Sequence, residues 1–176
     1  MFVVRRALHV CTTVCPNLAL KYYEVEPISY QLQKVKITDG KIEILEGKTF
    51  SISQPVQILH LADWCNQCGN CTTFCPTEES PYLEKPHQYF SKKAFDEADE
   101  GYWSDAKNSE LLGKKSGQEF SLKEKENCFL FRIKDIEISI SKQDFRIIDV
   151  QSKGKMNCEI DMRIAVEMSL VMQGII

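Results

Sequence analysis

Four cysteines lie within eleven residues of one another at C-x2-C-x2-C-x3-C-P spacing: Cys65, Cys68, Cys71 and Cys75, with Pro76 after the last. Thiolates at this spacing are typical ligands of 4Fe–4S clusters. The first three can hold corners of one cluster, while the fourth, one residue further on and followed by proline, faces a different cluster. Zinc sites instead tend to pair two C-x2-C units across a longer gap. The spacing therefore favours an iron–sulfur centre over zinc.

A second, shorter cysteine group lies near the start of the chain. Residues 11–16 read CTTVCP and residues 71–76 read CTTFCP, so five of six positions are identical. This internal repeat indicates that the cysteine motif is present twice. Aligning the copies places Arg5 and Leu8 opposite the two leading cysteines of the other copy. The first copy therefore lacks two ligands.

The two groups together provide one complete ligand set. In proteins with two such motifs, the fourth cysteine of each motif binds the cluster of the other. The complete set is then Cys15, Cys65, Cys68 and Cys71. Cys11 and Cys75 are left as the remnant of a second cluster site, which we expect to be empty, with the pair as free thiols. Candidates to complete that second shell are His9, Cys128 and Cys158, although a lone histidine is more often structural and the distal cysteines are most simply buried thiols.

The 49 residues between the two groups have the alternation of β-strands. Asp39-Gly40 is a strong signal for a two-residue hairpin turn, and Glu46-Gly47-Lys48 predicts a second turn. We predict a β-meander insertion over residues 26–60 in a ferredoxin-like domain of residues 1–83. The predicted strands are Leu18 to Val25, Lys34 to Thr38, Lys41 to Leu45, Phe50 to Ser53 and Val56 to His60.

The rest of the chain divides into a charged stretch and a second patterned region. Charged residues make up 18 of the 43 residues at 84–126, which predicts a solvated linker with one short helix near residues 91–100. Residues 127–176 then predict a small antiparallel sheet and a helix beginning at Asp161, whose apolar face serves core packing. The predicted strands are Cys128 to Ile133, Ile136 to Ile140 and Phe145 to Val150. The fold class expected for the whole chain is α+β.

Composition and charge exclude several kinds of function. With 22 Lys and Arg against 25 Asp and Glu, the net charge is −3, and no basic stripe for nucleic acid is visible. No apolar run reaches the roughly 18 residues of a membrane span, and no apolar segment of a signal peptide follows Arg5 and Arg6. We expect a soluble, cytoplasmic protein that binds neither nucleic acid nor membrane.

The cysteine segment also resembles a known family. The residues that carry the resemblance are Trp64 to Pro76, Pro81-Tyr82, Lys85, Cys15-Pro16-Asn17 and Ala19, with weaker likeness through Phe90 to Tyr102 and into the closing hairpin and helix. This pattern resembles the carboxyl-terminal ferredoxin region of the selenate reductase subunits. Those proteins are large flavin- and iron–sulfur-containing relatives of the glutamate synthase small subunit.

The resemblance implies an electron-transfer tail on an oxidoreductase that uses FAD and NAD(P)H and is associated with molybdenum hydroxylase or purine-related chemistry. This chain contains no G-x-G-x-x-G after a strand, so the dinucleotide domains of that family are missing from it. The chain looks like a detached carboxyl-terminal part. We expect no enzyme activity from it alone, and we expect its partner to be a redox protein or the flavin/NAD(P)H-binding part of the same complex.

Two functions are compatible with these observations. The first is an iron–sulfur electron-transfer module that relays single electrons through one 4Fe–4S cluster. The alternative is a structural or regulatory interaction module, held together by zinc or by a redox-inert cluster. Colour distinguishes them, because an iron–sulfur protein is brown and bleaches on reduction, whereas a zinc protein is colourless.

Overall fold

The computed structural model describes residues 10–154 and 156–175, which form a mixed α/β fold made mostly of strands. The strands are β1 Leu20–Glu24, β2 Ile28–Thr38, β3 Lys41–Ile52, β4 Val56–Leu61, β5 His87–Tyr89, β6 Gly101–Asp105, β7 Glu110–Lys115, β8 Gln118–Glu124, β9 Cys128–Ile133, β10 Ile136–Ser141, β11 Ile147–Ser152 and β12 Cys158–Asp161. The α-helices are α1 Val10–Thr13, α2 Asn70–Thr73, α3 Pro81–Glu84, α4 Lys92–Glu97 and α5 Arg163–Ile175, and a short 3-10 helix covers Ala62–Trp64. None of the helices in the described part of the chain is both long and apolar enough to cross a membrane.

The strands form two sheets. The larger has nine strands in the order β1-β4-β5-β6-β7-β8-β9-β10-β11, and the smaller has three in the order β12-β2-β3. Short β5 pairs in parallel with both β4 and β6, whereas the other neighbours are antiparallel. Strands β2 and β3 of the smaller sheet are inserted between β1 and β4, which pair with each other directly, and β12 joins them from the carboxyl-terminal part of the chain. The cysteine groups thus lie at the ends of two adjacent strands, with α1 just before β1 and α2 shortly after β4.

The β2–β3 hairpin confirms the predicted turn at Asp39-Gly40. Thr38 pairs with Lys41, and both turn residues have positive φ, 52° at Asp39 and 82° at Gly40, as a type I′ turn requires. The second predicted turn, at Glu46-Gly47-Lys48, is wrong. Strand β3 continues through it, and the pairing register shifts opposite Gln31–Gln33. A β-bulge accommodates the glycine there, so the strand bends without reversing.

Residues 84–126 are not the solvated linker that their charge predicts. They contain strands β5 to β8, which occupy the middle of the nine-strand sheet. Leu111 and Leu122 are completely buried, while neighbouring charged residues on the same strands point outward. A half-buried strand needs apolar residues only at every second position, so a high charge content is compatible with it. The short helix is confirmed as α4, where the Ser91 hydroxyl accepts a hydrogen bond from the Ala94 amide at 3.3 Å.

The carboxyl-terminal prediction is confirmed in its elements. The three predicted strands correspond to β9, β10 and β11, and the Asp161 carboxylate accepts a hydrogen bond from the Arg163 amide at 2.9 Å where α5 begins. Helix α5 is embedded in the main hydrophobic core, with Val166 and Met168 fully buried. That core also contains residues of β1 and β8, so it draws on all three regions predicted from the sequence.

We predict that Gly113→Ala destabilises the fold. Gly113 lies on β7, and an added Cβ would overlap the ring of buried Phe120 and lie 3.1 Å from the ring of Tyr102. Overpacking of this kind costs about 1–3 kcal/mol, measurable by urea unfolding. Adding Phe120→Leu to the variant should restore part of the lost stability. Unchanged unfolding of the single variant would contradict the packing described here.

Candidate metal centre

The two copies of the repeat fold in the same way. Each begins with one helical turn, closed by a hydrogen bond from the Val14 amide to the Val10 carbonyl at 3.0 Å in the first copy and from the Phe74 amide to the Asn70 carbonyl at 3.1 Å in the second. Cys11 lies on the first turn, α1, and Cys71 lies on the second, α2. The sequence repeat is therefore also a structural repeat.

The likeness continues beyond the identical letters. Three residues after the last cysteine of each copy, Leu18 and Glu78 have left-handed backbone, with φ of 53° and 57°. Their amides donate to the carbonyls of Cys15 and Cys75, each at 3.2 Å. In both copies the chain thus reverses just past the last cysteine and can point a following amide back at the sulfur.

Backbone amides donate hydrogen bonds to several of the sulfurs. The Ala19 amide lies 3.2 Å from Cys15 Sγ, and the Gln67 amide lies 3.4 Å from Cys65 Sγ. Burial acts to raise the pKa of Cys75, but the Thr77 hydroxyl and the amides of Thr77 and Glu79 outweigh it, so that pKa lies below its ordinary value. Donors aimed at thiolates stabilise the charged form that binds iron and help to set cluster potentials. The donor chemistry of this region therefore fits an iron–sulfur cluster.

The sulfurs pair across the two copies. Burial raises the pKa of Cys11, and the charges of Cys75 and Cys71 raise it further, while Lys85 opposes them. Burial also raises the pKa of Cys71, with Cys15 as a smaller contributor. Cys11 thus lies within electrostatic reach of both Cys75 and Cys71, and Cys71 lies within reach of Cys15. Two of these three proximities join the third cysteine of one copy to the fourth of the other.

Two of these cysteines belong to a small apolar cluster that is distinct from the main core. Leu20 and Ile58 pack with Cys71, and Cys11 and Tyr82 lie against them. Leu20 and Ile58 belong to β1 and β4, which form one edge of the large sheet. Helices α1 and α2 contact each other beside this edge, and α1 also contacts β1.

Cys65 and Cys68 lie on the loop before α2. Gln67 and Gly69 both have positive φ there, and the Cys68 amide donates to the Asn66 side chain at 3.3 Å. Cys68 is exposed and Cys65 half-buried. The side chain of Asn17 in the first copy donates to the Trp64 carbonyl at 3.0 Å, which ties this loop to the first motif.

Within residues 10–154 and 156–175, no three His, Cys, Asp or Glu side chains converge closely enough to hold one metal ion. In a 4Fe–4S cluster each thiolate binds a different iron, so its four ligands need not surround one point. The assignment of Cys15, Cys65, Cys68 and Cys71 to one cluster stays a prediction.

The other candidate ligands of the second cluster site do not belong to the two cysteine groups. Cys128 and Cys158 are half-buried on β9 and β12, and Cys158 packs against the main core. His9, together with Arg5 and Leu8, lies outside the described residues.

The burial of two polar side chains, Lys85 and His60, was not predicted. Lys85 forms an ion pair with Glu79, and His60 packs against His87. Lys85 is one of the residues that carry the family resemblance, but the resemblance assigns it no role. His60 is the last residue of a predicted strand, and the sequence does not show whether its side chain faces the core. Only the tertiary structure shows that both side chains are buried.

We predict that His60 makes stability fall in mild acid. His60 is 5% exposed, neither ring nitrogen has a hydrogen-bond partner in the described part of the chain, and its ring lies edge-on to His87 with centroids 4.8 Å apart. Burial and the neighbouring His87 lower the pKa of His60 to about 4. Because the unfolded chain takes up this proton first, the contribution of His60 is present above its ordinary pKa and is lost as the pH falls from there towards about 4.

The expected loss is about 1.5 kcal/mol between pH 6.5 and pH 5. His60→Gln removes the titration while keeping a polar side chain of similar size. Urea unfolding of both proteins at the two pH values should show a smaller pH dependence for the variant. Equal pH dependence would contradict the buried, neutral state of His60.

Comparison with known proteins gives a short match. A segment of 40 residues is 45% identical to the protein named "Putative oxidoreductase YgfK" of Escherichia coli K12, and the same values hold for the protein of that name from Escherichia coli O157:H7. The chain is thus distantly linked to an oxidoreductase. The segment covers 23% of this chain and only 4% of either relative. No family model matches the chain, and no solved structure matches it.

Proposed function

We propose that this chain is an iron–sulfur electron-transfer module built on a ferredoxin-like core. Cys15, Cys65, Cys68 and Cys71 would hold one 4Fe–4S cluster, with Cys11 and Cys75 as the remnant of a second site. The observation that carries the proposal is the contact between the two repeats: α1 lies against α2, and Cys11 packs against the apolar cluster that contains Cys71. Two ferredoxin motifs that exchange their fourth ligands have to lie side by side in this way.

When bound, the cluster supplies one-electron chemistry. The residues of this chain hold it and adjust its electrostatic surroundings. The amides of Ala19 and Gln67 donate to ligand sulfurs, and Leu20 and Ile58 keep one side of the site apolar. No acid, base or nucleophile is needed for electron relay, which agrees with the expectation of no enzyme activity from the chain alone.

The proposal includes a partner that exchanges electrons with the cluster in the cytoplasm. That partner is a redox protein or the flavin/NAD(P)H-binding part of a selenate reductase-like complex, as the family resemblance and the distant oxidoreductase match suggest. Large apolar side chains remain exposed beside both cysteine groups, with Leu18 66%, Trp64 52% and Phe74 57% exposed. Exposed apolar surface of this kind is typical of protein interfaces, so it supports contact with a partner near the cluster.

Spectroscopy of anaerobically purified protein tests the proposal. The protein should be brown, absorb broadly in the visible range, bleach on addition of dithionite and then give an electron paramagnetic resonance signal of a reduced cluster. Cys128→Ser is the control, because that cysteine lies outside the proposed set and its loss should leave the spectrum unchanged. A colourless protein that holds about one zinc would support the alternative structural module and contradict electron transfer.

A further inference from the structure

An ion pair between a buried lysine and a half-buried glutamate lies beside the cysteine groups and has no part in the proposed ligand set. The side chain of Lys85 is 6% exposed, and its Nζ lies 2.8 Å from Oε2 of Glu79, whose side chain is 31% exposed. Lysine is almost never buried without a partner. A charge held at this position is costly to desolvate, and it acts strongly on its surroundings because little water screens it.

Both members of the pair belong to segments that contact cysteines. Glu79 lies four residues after Cys75, in the segment whose Thr77 hydroxyl is 3.2 Å from the Cys75 sulfur. Lys85 follows α3, and its amide donates to the Pro81 carbonyl at 3.1 Å. Tyr82 of the same helix packs against the apolar cluster that contains Cys71.

The charge of Lys85 is therefore fixed on the side of the site where the two copies meet. Cys11 lies within its electrostatic reach, and Cys11 packs against the cluster that contains Cys71, a proposed ligand.

We propose that the Lys85–Glu79 pair sets the reduction potential of the cluster. This inference rests on the proposed function. Reduction adds one electron, and so one negative charge, to a cluster that four thiolates already make anionic. A buried cation nearby stabilises the reduced form and raises the potential, whereas the Glu79 carboxylate lowers it. The two members of the pair thus act in opposite directions on the same redox step.

A redox titration of the anaerobic holoprotein, followed by electron paramagnetic resonance, tests this inference. Lys85→Met should lower the potential, and Glu79→Gln should raise it. Lys85→Arg should stay close to the parent protein, because guanidinium keeps the charge. Glu79→Gln is also measured together with Lys85→Arg, in which the guanidinium keeps the positive charge at this position.

Lys93→Met is the matched control for net charge. Its side chain is 86% exposed and pairs only loosely with Glu97 at 4.0 Å, so solvent and salt screen it. It should leave the potential unchanged. The shift caused by Lys85→Met should persist in high salt, as expected for a buried charge.

Shifts of opposite sign at Lys85 and Glu79 support the inference. Unchanged potentials, shifts of the same sign, or an equal shift in Lys93→Met would overturn it. A lower melting temperature of Lys85→Met would not count as support, because the loss of any structural residue can have that effect. Should Lys85→Met fail to retain iron, the Glu79→Gln variants decide the question, because they must raise the potential. Absence of any cluster in the parent protein would instead overturn the proposed function itself.

Discussion

Replacing Cys68 with serine is expected to remove most of the bound iron and to unfold the region up to residue 76. Cys68 is exposed, and its only described hydrogen bond is made by its backbone amide. The substitution therefore removes a sulfur without removing core packing. The apolar cluster beneath the cysteines is small, with Leu20, Ile58 and Cys71 as its buried members. The free energy of metal binding in such a site is also free energy of folding.

Iron content per chain and a melting curve measure both effects of Cys68→Ser. Cys158→Ser is the matched control, since it makes the same atomic change at a half-buried cysteine on β12. The control should keep its iron and should melt close to the parent protein. Full iron and an unchanged melting curve in Cys68→Ser would remove Cys68 from the ligand set.

Restoring the repeat by changing Arg5 and Leu8 to cysteine is expected to raise the iron content from about four to about eight per chain. In the alignment of the two copies these positions correspond to Cys65 and Cys68. Cys11 and Cys75 already lie within electrostatic reach of each other, so two further thiolates would complete a second set of four. Iron and acid-labile sulfide analysis after anaerobic cluster loading measures the change.

A shifted pair of substitutions controls for the mere addition of thiols. Arg6→Cys and Ala7→Cys add two cysteines in the same segment but out of register with the repeat. This variant should stay at about four irons. Equal iron uptake by both variants would show that register does not matter. Two distinct cluster signals in the unmodified protein would show that its second site is already filled.

Local signals in the sequence predicted the local features of the fold. Asp39-Gly40 specifies a two-residue turn by its backbone preferences alone, and the structure contains that turn. Helix α5 and strands β9 to β11 were likewise predicted, from the spacing of apolar residues along the chain. The repeated CTTxCP segments predicted two similar substructures, and both have the same turn and the same left-handed residue.

Features that depend on distant contacts were missed. Charge density predicted a linker over residues 84–126 because composition does not record that the charges alternate with core residues such as Leu111 and Leu122. Strand β5 has three residues and is defined only by its parallel neighbours β4 and β6, so no local pattern could identify it. The segment Glu46-Gly47-Lys48 has the composition of a turn, but Gly47 lies in a β-bulge, because β3 pairs with β2 on both sides of it.

The candidate site divides in the same way. The spacing of the cysteines and the repeat of the two motifs could be recognised from the sequence alone. The amide of Ala19 that donates to sulfur, and the buried charge of Lys85, depend on how the chain turns after each motif. Backbone donors carry no side-chain signature, and burial of a lysine is decided by its tertiary neighbours.

We propose that Cys15, Cys65, Cys68 and Cys71 bind one 4Fe–4S cluster. Measuring iron, acid-labile sulfide and zinc per chain in anaerobically purified protein tests this binding directly. We expect about four irons and about four sulfides per chain with no stoichiometric zinc. About one zinc without sulfide would contradict it.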